Sequence, residues 1–324
     1  MCGLVGLAGN FKKELLFSMM ESIKHRGEDS SGFYLHDGEN NLFTNDFDLE
    51  SHSSSELDLK DSANVNYSFG LGHNLLSIFT LINEENEITD NIEENRQPVI
   101  LDNLVIVFNG ELYNFKKLNR TLLQQIDLKS SAKSDSQLLA YLIKYFYVAC
   151  ENDLLCAVRE LLPHLDGDYS FAVFDSKTNN LAVCRDSIGV KPLFYGKNKN
   201  LDAFASERKA LWRIGISDDD IHDLKPGSIL YNFKEIDLED NLIDRIFALD
   251  LNSKDDYNSY SSDKDSYDVY KDLLINALKE AVDKRVENIT DVGLIFSGGV
   301  DSTILAVLLK EIAAKRDEEI EKQE

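Results

Sequence analysis

Met1-Cys2-Gly3-Leu4-Val5-Gly6-Leu7-Ala8-Gly9 opens the chain: a thiol at position 2, then small and apolar residues without a break as far as a glycine. An apolar run of this length, bounded by turn signals, reads as a buried strand. Similar short runs recur at 67–71, 104–108, 169–174, 181–184 and 193–195. Between them, apolar residues at three-four spacing predict helices over 15–24, 135–147 and 153–162. The first part of the chain is therefore expected to be an α+β domain with antiparallel sheets, arranged as a two-sheet layered sandwich.

The chain has 324 residues, enough for one large or two ordinary domains with cores of their own. With 43% hydrophobic and 28% charged residues it has a globular composition, which excludes collagen, coiled coil and wholesale disorder. Its 58 acidic and 34 basic residues give a net charge of −24, which repels polyphosphate backbones, so nucleic acid and anionic membrane are not expected partners. Cys2, Cys150, Cys156 and Cys184 form no CxxC pair and have no His at zinc spacing, so the expectation is reduced thiols, without a disulfide framework or a metal site. No apolar run reaches the ~18 residues of a membrane span, and the N-terminus lacks the features of a signal peptide. A cytoplasmic protein is expected.

The polar, acidic stretch 36–66 shows no periodicity that would bury a face and is expected to be a surface excursion. After the Lys225-Pro226-Gly227 turn and a strand-like 228–233, the chain turns acidic and rich in Ser and Tyr. This places a linker at 249–266 between a first domain, 1–248, and a second, 267–324. Residues 267–286 carry apolar side chains at helical spacing, 292–296 read as a fully buried strand, and a second helix follows from Ser302. Strand, glycine turn and helix are the opening of a parallel α/β domain.

Ser297-Gly298-Gly299-Val300-Asp301-Ser302 lies at that strand-to-helix turn, where small residues let backbone N–H groups close on an anion at a helix N-terminus. The GK[ST] ending of a P-loop NTPase is missing. At the other end, Cys2 becomes the first residue once Met1 is removed, and its own α-amine, with a pKa near 8, can then take the thiol proton. His25, His73, His164 and His222 fit no ligand set and are read as structural, and Asp218-Asp219-Asp220 as a solvated turn and helix start.

With both motifs on one chain, the sequence resembles the glutamine-hydrolysing asparagine synthetases: a class II (Ntn) glutamine amidotransferase domain, an αββα sandwich, followed by the start of a PP-loop synthetase domain. The strings that carry the resemblance are Met1-Cys2-Gly3, His25-Arg26-Gly27, Gly72-His73, Leu76-Ser77-Ile78, Gln97-Pro98, Asn109-Gly110-Glu111-Leu112-Tyr113-Asn114, Ser134-Asp135, Asp166-Gly167, Arg185-Asp186, Gly189, Lys191-Pro192-Leu193, Ala205-Ser206-Glu207 and the SGGxDS loop. The resemblance implies that Cys2 attacks the glutamine amide and releases ammonia. It implies that the Asn109 side chain and the Gly110 N–H hold the oxyanion, and that Glu111 and Asp135 hold the α-ammonium. It further implies that ATP binds at Ser297, Gly298, Gly299, Asp301 and Ser302, with Ile295 beside adenine and Mg²⁺ on the pyrophosphate.

One position departs from the family pattern. Where the family carries an arginine for the glutamine α-carboxylate, this chain reads His73-Asn74-Leu75-Leu76-Ser77-Ile78. Losing a charge-assisted partner gives up about 1.5 to 3 kcal/mol. Backbone groups near Ile78 and Phe79, or a cation such as Arg26 or Arg96, are the alternatives. The expected reaction is ATP, aspartate and glutamine giving asparagine, glutamate, AMP and diphosphate. The alternative is a truncated or divergent amidotransferase-like protein, impaired as a glutaminase, that binds or regulates. Only 22 residues follow Ser302, so 267–324 is expected to be an incomplete domain that needs a separate chain, or a truncated product. A homodimer is the other assembly considered.

Overall fold

The computed structural model describes residues 1–54, 65–77, 80–82, 88–90, 92–121, 132–236, 264–287 and 292–321. They fall in two compact units, Met1–Ile246 and Phe247–Glu324.

The first unit is built on two sheets whose strands, in chain order, are β1 (Gly3–Phe11), β2 (Ser30–His36), β3 (Asn41–Thr44), β4 (Tyr67–Leu75), β5 (Val99–Leu101), β6 (Leu104–Leu112), β7 (Gly167–Asp175), β8 (Asn180–Arg185), β9 (Phe194–Lys197), β10 (Leu201–Ala205), β11 (Ile221–Asp223), β12 (Ile229–Tyr231) and β13 (Lys234–Ile236). One sheet has seven strands in the order β11-β9-β10-β1-β4-β2-β3, and the other has six in the order β13-β12-β8-β7-β6-β5. All pairings are antiparallel.

Strict alternation along the strands sorts the side chains into three layers. Leu104, Ile106 and Phe108 of β6 pack outward against helices α2 (Asp135–Ala149) and α3 (Leu154–Leu161). Val105 and Val107 point the other way, into a core shared with Leu4 of β1 and Phe69 and Leu71 of β4. Val5 and Leu7 face outward into a core with Leu16, Phe17, Met19 and Met20 of α1 (Lys13–Ser22) and Ala210 and Leu211 of α4 (Arg208–Arg213). Helix, sheet, sheet, helix is the expected sandwich. It explains why the strands read as continuous apolar runs, since each is covered on both faces.

Three expectations need correction. The stretch after residue 36 is more than an excursion: β3 extends the seven-stranded sheet, and Phe47 and Leu49 are buried against α1. Two isolated apolar residues amid polar neighbours give no periodic signal, yet they suffice to tie the segment down. Cys150 and Cys156 are joined in a disulfide, because the end of α2 and the first turn of α3 bring their Cα atoms to 5.9 Å. Cys2 and Cys184 are free.

The third correction lies in the second unit. Its described elements are helices α5 (Lys264–Val286) and α6 (Val300–Glu321), and residues 292–296 form no strand. They are exposed, Ile295 almost fully at 96%. No strand among the described residues of this unit stands beside them, and a strand without a partner leaves its N–H and C=O groups unpaired. The turn itself is formed. Gly298 sits at φ +79, a left-handed conformation that only glycine adopts without strain.

Candidate active site

Strand directions bring the candidate residues of the first unit to one end of the sandwich. Cys2 precedes the start of β1, Leu75 closes β4, and Asn109-Gly110-Glu111 occupy the far end of β6. β1 and β4 are hydrogen-bonded neighbours with Gly3 opposite Asn74. Across the two sheets, His73 of β4 reaches the Phe108 carbonyl of β6 at 3.0 Å. By alternation His73, Leu75 and Asn109 continue the inward-facing rows of Leu71 and Val107.

The Cys2 thiol lies against the backbone of Leu76. Leu76 N donates to Sγ at 3.4 Å, and Sγ lies 3.6 Å from the Leu76 carbonyl. Burial pushes the thiol above its ordinary value, opposed by the Leu76 N–H and by the cations Lys191 and Arg26. Burial also holds the N-terminal amine, carried by Met1 in the full chain, below its ordinary 8.0. With Met1 in place the Cys2 nitrogen is an amide; only its removal would leave a free α-amine on the residue that carries the thiol.

Asn109 is 1% exposed, and its Nδ2 has no hydrogen-bond partner among the described residues. A buried amide donor left unpaired is costly, and such a donor is free to meet an acceptor that arrives only with a ligand. Asp135 begins α2, capped by Ser134 Oγ, which accepts from Gln137 N at 3.3 Å. Its Oδ2 accepts from Leu112 N at 3.1 Å, tying the helix to the end of β6. Burial raises the Asp135 carboxyl to about 7, with Glu111 adding repulsion and the Leu112 N–H working the other way. Ser77 N is held by Asp29 Oδ2 at 2.7 Å. Ile78 and Phe79 lie outside the described residues.

Asp29, Gln97 and Glu207 were not singled out as site residues, although two of them stand in the quoted strings; Arg26 entered only as an alternative carboxylate partner. Arg26 Nε donates to Cys2 O at 3.0 Å and Nη1 to Glu207 Oε1 at 3.0 Å, while its buried Nη2 has no partner among the described residues. Arg96 points elsewhere, to Asp46 at 3.4 Å. In the second unit Ser297 Oγ lies 3.1 Å from Ser302 Oγ and accepts from Gly299 N at 3.4 Å, closing the loop at the start of α6. The Ile295 side chain is exposed in the stretch that leads to the loop.

The glutamine amidotransferase domain family matches residues 83–213, and the asparagine synthase family matches 273–320. A putative glutamine-hydrolysing asparagine synthetase of Methanocaldococcus jannaschii is 34% identical over 95% of this chain and 51% of its own length. The chain resembles the glutamine-hydrolysing asparagine synthetases. It spans about half the length of the curated relatives it matches. A glutamine–fructose-6-phosphate aminotransferase of Streptococcus agalactiae is 25% identical over 76% of this chain and 38% of its own length. The two-sheet fold is shared with a glutamine phosphoribosylpyrophosphate amidotransferase from B. subtilis, at TM-score 0.57 and 22% identity over 72% of this chain and 48% of that one.

The Asp135 carboxyl makes a testable link between site and stability. With its pKa raised from 3.8 to about 7, the folded state binds the proton more tightly than the unfolded state, so this group's contribution to stability declines as pH rises between those values. Asp135→Asn is expected to raise the melting temperature at pH 8 by roughly 2 to 4 °C, about 1 kcal/mol, with no gain at pH 4. Differential scanning calorimetry at the two pH values checks this; equal shifts at both would show that the carboxyl is not held protonated.

Proposed function

We propose that the first unit hydrolyses glutamine at Cys2, and that the chain is the glutamine-hydrolysing part and synthetase start of an asparagine synthetase. The observation that carries the reading is the inward-facing Asn109 amide, buried at the end of the sandwich where Cys2 lies, its Nδ2 without a partner among the described residues. The deprotonated α-amine of Cys2 takes the thiol proton, and Sγ adds to the side-chain carbonyl carbon of glutamine. The oxyanion is met by Asn109 Nδ2 and Gly110 N–H. Collapse expels ammonia, which takes the proton from the amine, and leaves a glutamyl thioester. Water then adds by the same route and releases glutamate, restoring the thiol.

Glu111 and Asp135 receive the substrate's α-ammonium, whose charge draws the proton off Asp135. In place of an arginine at position 75, the α-carboxylate falls to the backbone N–H groups of Ile78 and Phe79, that of Ser77 being taken by Asp29. In the synthetase half, the aspartate β-carboxylate attacks the α-phosphorus of ATP, pyrophosphate leaves, and ammonia displaces AMP from the resulting acyl-adenylate. Ser297, Gly298, Gly299, Asp301 and Ser302 surround the pyrophosphate at the start of α6. Mg²⁺ carried by the ATP phosphates, with Asp301 of the same loop as a carboxylate available to it, would neutralise charge on the departing pyrophosphate; among the described residues no three His, Cys, Asp or Glu side chains form a site of their own for it. The cytoplasm, where glutamine, aspartate and ATP are abundant, is the proposed location.

The test is ammonia release from glutamine by the purified chain with a Cys2→Ala control. Release that depends on Cys2 supports the reading, and release no greater than the control removes it. A second reading, a binding protein on the same fold, is favoured by one observation. Leu75 is 4% exposed, so an apolar side chain fills the place where the family puts its carboxylate partner. Leu75→Arg separates the two. If the pocket takes glutamine, the KM for glutamine should fall about tenfold, while the melting temperature drops without glutamine and recovers with it. An unchanged KM would show that another group already serves the carboxylate or that the pocket holds a different ligand.

A further inference from the structure

β5 pairs with β6 as Leu101↔Leu104, Ile100↔Val105 and Val99↔Ile106. Continued by two residues, that antiparallel register sets Gln97 opposite Phe108. β5 begins at Val99, and Pro98 before it has no N–H to give to the ladder. The Gln97 side chain completes the ladder in its stead. Its Oε1 accepts from Phe108 N at 2.6 Å and its Nε2 donates to Phe108 O at 3.1 Å, so one primary amide reproduces both bonds of a facing backbone residue.

The Phe108 carbonyl takes its second donor from the opposite sheet, His73 Nε2 at 3.0 Å. Burial pushes His73 down to about 4, so the ring is neutral near pH 7 and its single proton sits on Nε2. Both side chains are buried. Gln97 is also wedged by its backbone: a Cβ on Gly32 of β2 would come within 2.0 Å of the Gln97 carbonyl oxygen, so only glycine fits there. The carbonyl that Gln97 and His73 grip belongs to the peptide group carrying the Asn109 N–H. Fixing its plane fixes the direction in which the Asn109 side chain leaves the strand, and with it the orientation of the next N–H, that of Gly110.

We propose that Gln97 and His73 are positioning residues that aim the oxyanion donors Asn109 and Gly110, an inference that rests on the glutaminase reading of Cys2. Neither touches the reacting atoms. A misaimed donor loses contact with charge that exists only in the transition state, so kcat should fall while glutamine binding is kept. Loss of a merely structural contact would lower stability and disturb every reaction of Cys2 alike.

The test uses the full chain and two reactions of the same thiol: glutamine hydrolysis, which forms an oxyanion, and alkylation by iodoacetamide, which forms none. Gln97→Met keeps the volume and removes both bonds; it is expected to lower kcat about 10- to 100-fold, with KM within about threefold and the alkylation rate within about twofold of the unsubstituted chain. His73→Leu should lower kcat about 5- to 20-fold with the same split, and His73→Gln, which restores an N–H donor, should recover most of it. A kcat unchanged in Gln97→Met, or kcat and alkylation falling together, would overturn the proposal. If Gln97→Met does not fold, the His73→Leu and His73→Gln pair decides by the same split. Absence of ammonia release from the unsubstituted chain would instead sink the glutaminase reading itself, before any variant is compared.

Discussion

Holding Met1 in place should lower glutamine-dependent ammonia release by roughly 10²- to 10⁴-fold, the span that a positioned general base contributes. The Cys2 thiol is buried and its pKa raised, so at neutral pH it is protonated and cannot attack without a partner to take the proton. Among the described residues no histidine or carboxylate is hydrogen-bonded to Sγ; its contacts there are the Leu76 N–H and carbonyl. Once Met1 is gone the base is Cys2's own amine. With Met1 present that nitrogen is an amide, and the nearest amine belongs to a different residue. The comparison is a chain with an N-terminal tag cut immediately before Cys2 against the same chain uncut. Equal rates would mean that another group acts as base. The processed chain should gain activity as pH rises toward 8, the ordinary range of an α-amine, and the Cys2 amine loses its proton.

Asn109→Ala should lower kcat by about 10²- to 10³-fold, or about 2.7 to 4 kcal/mol in the barrier, with a much smaller change in KM. The argument is differential. In the free protein Asn109 Nδ2 is buried with no acceptor among the described residues, so the ground state gains nothing from it. When the thiolate adds to the substrate carbonyl, an oxyanion supplies the missing acceptor in a site that water does not screen. Removing the amide therefore removes an unfavourable ground-state group as well as a favourable transition-state contact. The variant should be at least as stable as the parent while being much slower. Steady-state kinetics with a thermal melt checks both; unaltered kcat, or a loss wholly in KM, would show that Asn109 only binds substrate.

Much of the sandwich was legible because both faces of each central strand are covered, which turns 4–8, 104–108 and 171–174 into unbroken apolar runs. The edge strand Asn41–Thr44 was not, because an edge needs few apolar contacts, and Phe47 and Leu49 bury without a repeat around them. Residues 292–296 carry the right composition for a strand, but composition does not provide a neighbour to pair with. The bond between Cys150 and Cys156 depends on how α2 hands over to α3, and a six-residue spacing does not encode that.

At the site, Cys2, Asn109 and Asp135 could be named from short strings, since each needs its own residue type at its own place. Gln97 could not be assigned a task that way, although it stood in a matching pair. Its side chain acts as a piece of strand, and that is visible only when the β5–β6 register is extended past Pro98. The Arg26–Glu207 ion pair joins residues 181 positions apart, beyond the reach of any local pattern.

The central claim is that Cys2, freed as the N-terminal residue, forms a covalent glutamyl thioester. Acid-quenching the protein during turnover with glutamine and digesting it for mass spectrometry tests this most directly. The account predicts an N-terminal peptide that begins at Cys2 and carries a glutamyl group, absent without glutamine and absent in Cys2→Ala. An N-terminal peptide that still begins at Met1, or a Cys2 that stays unmodified while ammonia is being released, would contradict it.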